Sequence, residues 1–127
     1  MRLLLDTHAL IWFATDLAKF VASTLEAIYD SEQVWVSSVS AYEMSLKLTQ
    51  GRLPVAQRLL TDLSGYLQSQ RFEVLPMSLA HAEAAGRFPL IHRDPFDRLL
   101  AAQALVEDLT LVSADAALDV FGVKRLW

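Results

Sequence analysis

Apolar positions in this chain fall into short unbroken runs separated by longer stretches with helical spacing. RLLL, Arg2 to Leu5, is a run of strand length and predicts a short buried strand. Ala9 to Tyr29 predicts mostly helix, in up to two pieces, with a break near Thr15-Asp16. QVWVS, Gln33 to Ser37, is β-branched and aromatic, hence strand. Ser40 to Gln50 carries Tyr42, Leu46 and Thr49 on one helical stripe and Met44 and Leu48 on another, and Gly51 supplies a stop. Val55 to Gln70 predicts helix, Phe72 to Leu75 strand, and Ser78 to Gly86 helix. Asp94 to Glu107 is the strongest helical pattern, Thr110 to Ser113 reads as strand, and Val123 to Leu126 as a final one.

This alternation predicts an α/β fold with a central, mainly parallel sheet, and the length of 127 residues suits a single domain spanning 1–127. In open sheets of this kind ligands bind outside the carboxyl ends of the strands. Asp6 stands at that end of the first strand, Ser37 and Ser38 at that end of the second, and Ser113 to Asp115 after the TLVS run. A carboxylate directly after three leucines is therefore expected at the rim of the sheet, not inside the core.

Composition narrows the chemistry. Hydrophobic residues make up 54% of the chain, enough for a sizeable core. The absence of cysteine excludes disulfides, thiolate metal sites and a cysteine nucleophile, and fits a reducing compartment. No apolar run has signal-peptide or transmembrane character, so the expected location is the cytoplasm, with no membrane partner. The net charge of −4 argues against a general nucleic-acid coat. It does not argue against an enzyme acting on a polyanion, because carboxylates loaded with divalent cations no longer present negative charge.

Each candidate acid also has an ordinary structural role open to it. Glu43 follows Ser40 at capping-box spacing and precedes Lys47 at ion-pair spacing. Asp94-Pro95-Phe96-Asp97 opens the strong helix, with Asp94 as an ideal cap, Pro95 at the first helical position and Asp97 at the third. Asp6 and Asp115 could each cap a following helix. Jointly, however, acids from separate segments would meet at one sheet edge, where mutual repulsion raises their pKa values or demands a cation. Mg²⁺ and Mn²⁺ prefer such oxygen ligands. His8, His81 and His92 lack a zinc-site spacing, and His92, Arg93 and Arg98 are weaker candidates for contact with an anionic substrate. Trp12, Phe13 and Phe20 read as core aromatics, some of which could line a partner groove if exposed.

The ordered set LLLDTHALIW, VSSVSAYEMSLKLTQGRL, HRDPFDRLLAAQALVEDLTLVSAD and FGVKRLW strongly resembles the PIN-domain family, in particular the VapC-like toxin ribonucleases of toxin–antitoxin modules. The resemblance implies a three-layer α/β/α sandwich and a Mg²⁺- or Mn²⁺-dependent endoribonuclease. It also implies a homodimer held inactive by a cognate antitoxin. By position it makes Asp6, Glu43, Asp97 and Asp115 the catalytic acids, with the metal on Asp6 and Asp97 and with Ser113 and Asp94 in support. The alternative is a PIN-like RNA- or protein-binding module with a degraded site, against which stands the presence of all four acids. A haloacid-dehalogenase-type phosphatase would need Asp-x-Asp, and His8 occupies the second place. A phospho-receiver domain would need an acid after the third strand, and FEVLPMS has none there.

Overall fold

The computed structural model describes residues 1–127. Five strands form one parallel sheet: β1 (Arg2–Leu5), β2 (Gln33–Ser37), β3 (Glu73–Leu75), β4 (Thr110–Val112) and β5 (Arg125–Leu126). Their order across the sheet is β3-β2-β1-β4-β5. Seven α-helices cover it: α1 (Thr7–Thr15), α2 (Ala22–Asp30), α3 (Ser38–Thr49), α4 (Gln57–Thr61), α5 (Leu63–Ser69), α6 (Leu79–Arg87) and α7 (Pro95–Val106).

The three leucines of β1 explain the layering. Side chains alternate across a strand, so Leu3 and Leu5 enter one core and Leu4 the other. The first core takes residues from α1 to α5, among them Leu10, Phe13, Ile28, Met44, Leu59 and Leu67. The second takes Ala101 and Ala104 of α7, with Leu118 and Phe121 from the 3₁₀ turn Ala116–Phe121. The chain moves outward from β1 to β2 and β3 under one helical layer, then crosses back to β4 and β5 under the other. Parallel crossovers are right-handed, so reversing direction across the sheet requires switching faces. The result is the expected α/β/α sandwich.

This order creates a topological switch point between β1 and β4, and in open sheets of this kind ligands bind outside the carboxyl ends of the strands at such a point. Asp6 N–H donates to the Val112 carbonyl at 3.0 Å, extending the β1–β4 ladder to the carboxyl edge of the sheet.

Two segments differ from the pattern-based expectation. Val55 to Gln70 is not one helix: a 3₁₀ turn, Pro54–Ala56, leads into α4, and the chain breaks at Asp62 before α5. Asp62 caps α5 by accepting from Gly65 N–H at 3.1 Å, so its side chain competes with the helix it interrupts. A Cβ at position 65 would fall 2.2 Å from the Asp62 carboxylate, which explains glycine there. The second difference is α3, which starts at Ser38. Its cap is Ser37, whose Oγ accepts from Val39 N–H at 3.0 Å, so Ser40 and Glu43 do not form a capping box.

Candidate active site

Asp6, a candidate site residue, is the cap of α1. One oxygen accepts from Ala9 N–H at 2.7 Å, which fixes the carboxylate at the start of α1. The residue is 7% exposed. Burial pushes its pKa up, against the pull of the Ser113 hydroxyl, the Ala9 amide and His8, and the Glu43 charge adds to the rise. Ser113 is fully buried at the end of β4, and its Oγ accepts from Asp115 N–H at 3.0 Å.

Glu43 lies one turn into α3 and is 3% exposed. Its Oε1 accepts from Thr7 Oγ1 at 2.6 Å, while Lys47 pairs with Oε2. Thr7 Oγ1 is also 2.9 Å from Ser40 Oγ. A hydroxyl carries one proton. With Thr7 donating to Glu43, the Ser40 hydroxyl is left to donate to Thr7. Glu43 is thus a buried carboxylate with its charge compensated by Lys47 and its orientation set from α1.

Asp97 differs from both. It occupies the first turn of α7, and neither of its oxygens caps that helix, because Asp94 does so. Its pKa is raised to about 7, first by burial and then by the charges of Asp94, Glu43, Asp6 and Asp115. One carboxylate therefore feels acids carried by β1, α3 and the end of β4 together. Asp115 caps the 3₁₀ turn, with Oδ1 accepting from Ala117 N–H at 3.0 Å, and its half-exposed side chain borders the cluster.

His92, a weak candidate in the sequence, is close to the acids: Nε2 is 3.2 Å from Asp97 Oδ2 and 4.0 Å from Asp115 Oδ2. These three side chains offer ligand atoms all within 4.8 Å of one another. Arg93 is exposed on the same loop. Arg98 corrects an expectation. It is 8% exposed, and its guanidinium donates to the carbonyls of Ala85, Phe88, Pro89 and His92 at 2.7–3.0 Å. With both terminal nitrogens so occupied, Arg98 holds its own loop and does not face substrate. The sequence alone hides this, because an Arg beside a candidate site acid looks the same whether it points outward or inward.

The aromatic expectation divides. Phe13 is buried in the first core, whereas Trp12 and Phe20 are half-buried and pack against Trp127.

Comparison with known proteins agrees with this architecture. A model of the PIN domain family matches residues 3–124. Ribonuclease VapC22 of Mycobacterium tuberculosis is 27% identical over 117 residues, which cover 91% of this chain and 88% of the relative. Similar solved structures include VapBC2 from Rickettsia felis bound to a DNA fragment from their promoter, with a TM-score of 0.67 at 18% identity, covering 91% of this chain and 88% of that one. FitAB bound to an IR36 DNA fragment gives a TM-score of 0.70 at 18% identity over 98% of this chain and 93% of that one. FitAcB from Neisseria gonorrhoeae gives 0.67 at 21% identity over 98% and 96%. The chain belongs to the PIN domain family.

Proposed function

We propose that this PIN-domain chain is an endoribonuclease that hydrolyses RNA phosphodiester bonds with the help of Mg²⁺ or Mn²⁺, and that it is the toxin of a toxin–antitoxin pair. The observation that carries the reading is geometric: Asp97 and Asp115, from separate elements, bring carboxylate oxygens within 4.8 Å of one another beside His92. Burial together with the charges of Asp94, Glu43, Asp6 and Asp115 pushes the Asp97 pKa up. Acids gathered this way are costly unless a cation joins them. The donors are oxygens from carboxylates on separate elements, as a hard divalent cation requires, so the residues fit the metal.

Asp6 and Asp97 would hold the ion, with Glu43 and Asp115 near or behind it. When bound, the ion supplies activation of a water and neutralisation of charge on the phosphate. The chain's own residues prepare the site. The Ala9 amide fixes Asp6, Thr7 and Lys47 fix Glu43, and the Asp94 cap leaves Asp97 free of structural duty. Ser113 supports Asp6 from the neighbouring strand. Arg93 is the exposed cation on the loop beside the acids and is the residue offered to the RNA backbone.

The relative that is a ribonuclease, together with the toxin-like motifs, supports RNA as substrate and an antitoxin as partner. The homodimer follows from the same resemblance, and light scattering of the purified chain tests it. No helix is long and apolar enough to cross a membrane.

The mechanism is tested by the ends of the RNA fragments. Attack by water leaves no 2′,3′-cyclic phosphate, and a substrate with a 2′-O-methyl group at the cleaved position is still cut. Cyclic ends, or protection by the 2′ block, would mean that the ribose hydroxyl is the nucleophile.

A further inference from the structure

His92 is held on every side. Its ring stacks on Phe121 at 5.6 Å with planes 23° apart. Its Nδ1 accepts from Asp94 N–H at 3.4 Å, and its carbonyl accepts from Arg98 at 3.0 Å. The same guanidinium binds the carbonyls of Ala85, Phe88 and Pro89, so the whole segment from the end of α6 to α7 is fastened to the residue that follows Asp97. The side chain is 17% exposed.

The contact at Nδ1 selects the tautomer. A neutral imidazole that accepts at Nδ1 carries its proton on Nε2. That N–H is buried and makes no aligned hydrogen bond, although Asp97 Oδ2 lies at 3.2 Å. A buried donor without a partner is costly, and a modest turn of the Asp97 carboxylate would satisfy it. Asp115 Oδ2, at 4.0 Å, is beyond hydrogen-bond reach.

We infer that His92 is a positioning residue for Asp97: its Nε2–H captures Oδ2, so that the other oxygen is presented to the cation. This rests on the metal reading proposed above. It assigns His92 a place behind the ligand, not on the metal, since a metal-bound Nε2 would need its proton on Nδ1, against the Asp94 amide. Partners of this kind orient ligating carboxylates and typically govern metal affinity.

The test is Mn²⁺ binding to the purified chain, by calorimetry, with pulsed electron paramagnetic resonance of the bound ion. His92→Ala is expected to weaken Mn²⁺ binding roughly 10–100-fold while thermal melting stays cooperative. His92→Gln, which keeps a donor of similar reach, is expected to recover most of that loss; His92→Asn, too short to reach Oδ2, is not. The resonance of the parent is expected to show no directly bound imidazole nitrogen. Undiminished binding by His92→Ala overturns the inference, as does a direct nitrogen coupling that vanishes in that variant. If His92→Ala does not fold, equal binding by the Gln and Asn variants overturns it instead. Asp97→Asn separates the two levels: if it binds Mn²⁺ like the parent, the metal reading itself has failed.

Discussion

Asp94 and Asp97 stand at the start of the same helix and do different work. Asp94 Oδ1 accepts from the backbone N–H of Phe96 at 2.9 Å and of Asp97 at 3.4 Å, and by capping α7 it leaves the Asp97 carboxylate free. The cap also charges the site, since Asp94 is the largest of the four acidic influences on Asp97.

The pair should separate under substitution. Asp94→Asn keeps a good cap and is expected to change stability by only a few tenths of a kcal/mol, whereas Asp94→Ala should cost about 1 kcal/mol. Asp97→Asn keeps size and removes one member of a repelling cluster, so without metal it should melt no lower than the parent, and higher at pH 8. Thermal melting of the three variants in chelator checks this. A loss of stability in Asp97→Asn larger than in Asp94→Ala would make Asp97 a structural residue.

The pH dependence of the metal-free protein follows from the raised pKa of Asp97. Its native value of about 7 lies well above 3.8, the ordinary value for an aspartate side chain. Below pH 4 the group is neutral in both states and carries no penalty. As pH rises from about 4 to about 7, the unfolded chain ionises first, so native stability falls, and above 7 the loss is complete. For Asp97 this amounts to roughly 2–3 kcal/mol, after allowance for solvent screening of a part-exposed group. Asp6 shifts in the same direction. Urea denaturation at pH 5 and pH 8 should show the decline, and Asp97→Asn should reduce it. Saturating Mg²⁺ should abolish it.

Lys47 is expected to matter for stability through Glu43. Lys47→Met would leave a buried carboxylate hydrogen-bonded to Thr7 but without its counter-charge. The expected cost is about 2–4 kcal/mol in urea denaturation. Lys47→Met combined with Glu43→Gln should recover most of it, because the uncompensated charge is then gone. An additive double variant would show that the ion pair is incidental.

Arg98→Lys should destabilise by about 2–4 kcal/mol, since an ammonium cannot replace a planar fork that meets four carbonyls. Affinity of the folded variant for RNA, measured in chelator, should match the parent. A selective loss of RNA affinity would return Arg98 to the substrate-facing role that the sequence suggested.

Local rules carried much of this architecture. Asp6 after three leucines, Asp94 before Pro95, Asp115 after a short strand and a break beside Asp16 all follow from strand length or cap chemistry, and each is found. Ser40 and Glu43 show where such rules fail. Ser37, Ser38 and Ser40 are equally plausible caps by type, and only the register of β2 against β1 and β3 makes Ser37 the strand's last residue. Glu43 then faces Thr7 across two helices, a contact no local spacing encodes. The break at Asp62 was hidden by apolar residues at helical spacing on both sides. His92 and Arg98 required the loop's path: one turns toward the acids and the other into the backbone beneath them.

Acids at the β1–β4 switch point are proposed to hold a cation that enables RNA hydrolysis. The most direct test is cleavage of single-stranded RNA by the purified chain, with Mg²⁺ or with chelator, beside Asp6→Asn and Asp97→Asn. Cutting by the parent is expected in Mg²⁺, with none in chelator and none by either variant although both melt cooperatively. Cutting that persists in chelator, or that survives in both variants, would contradict the proposal.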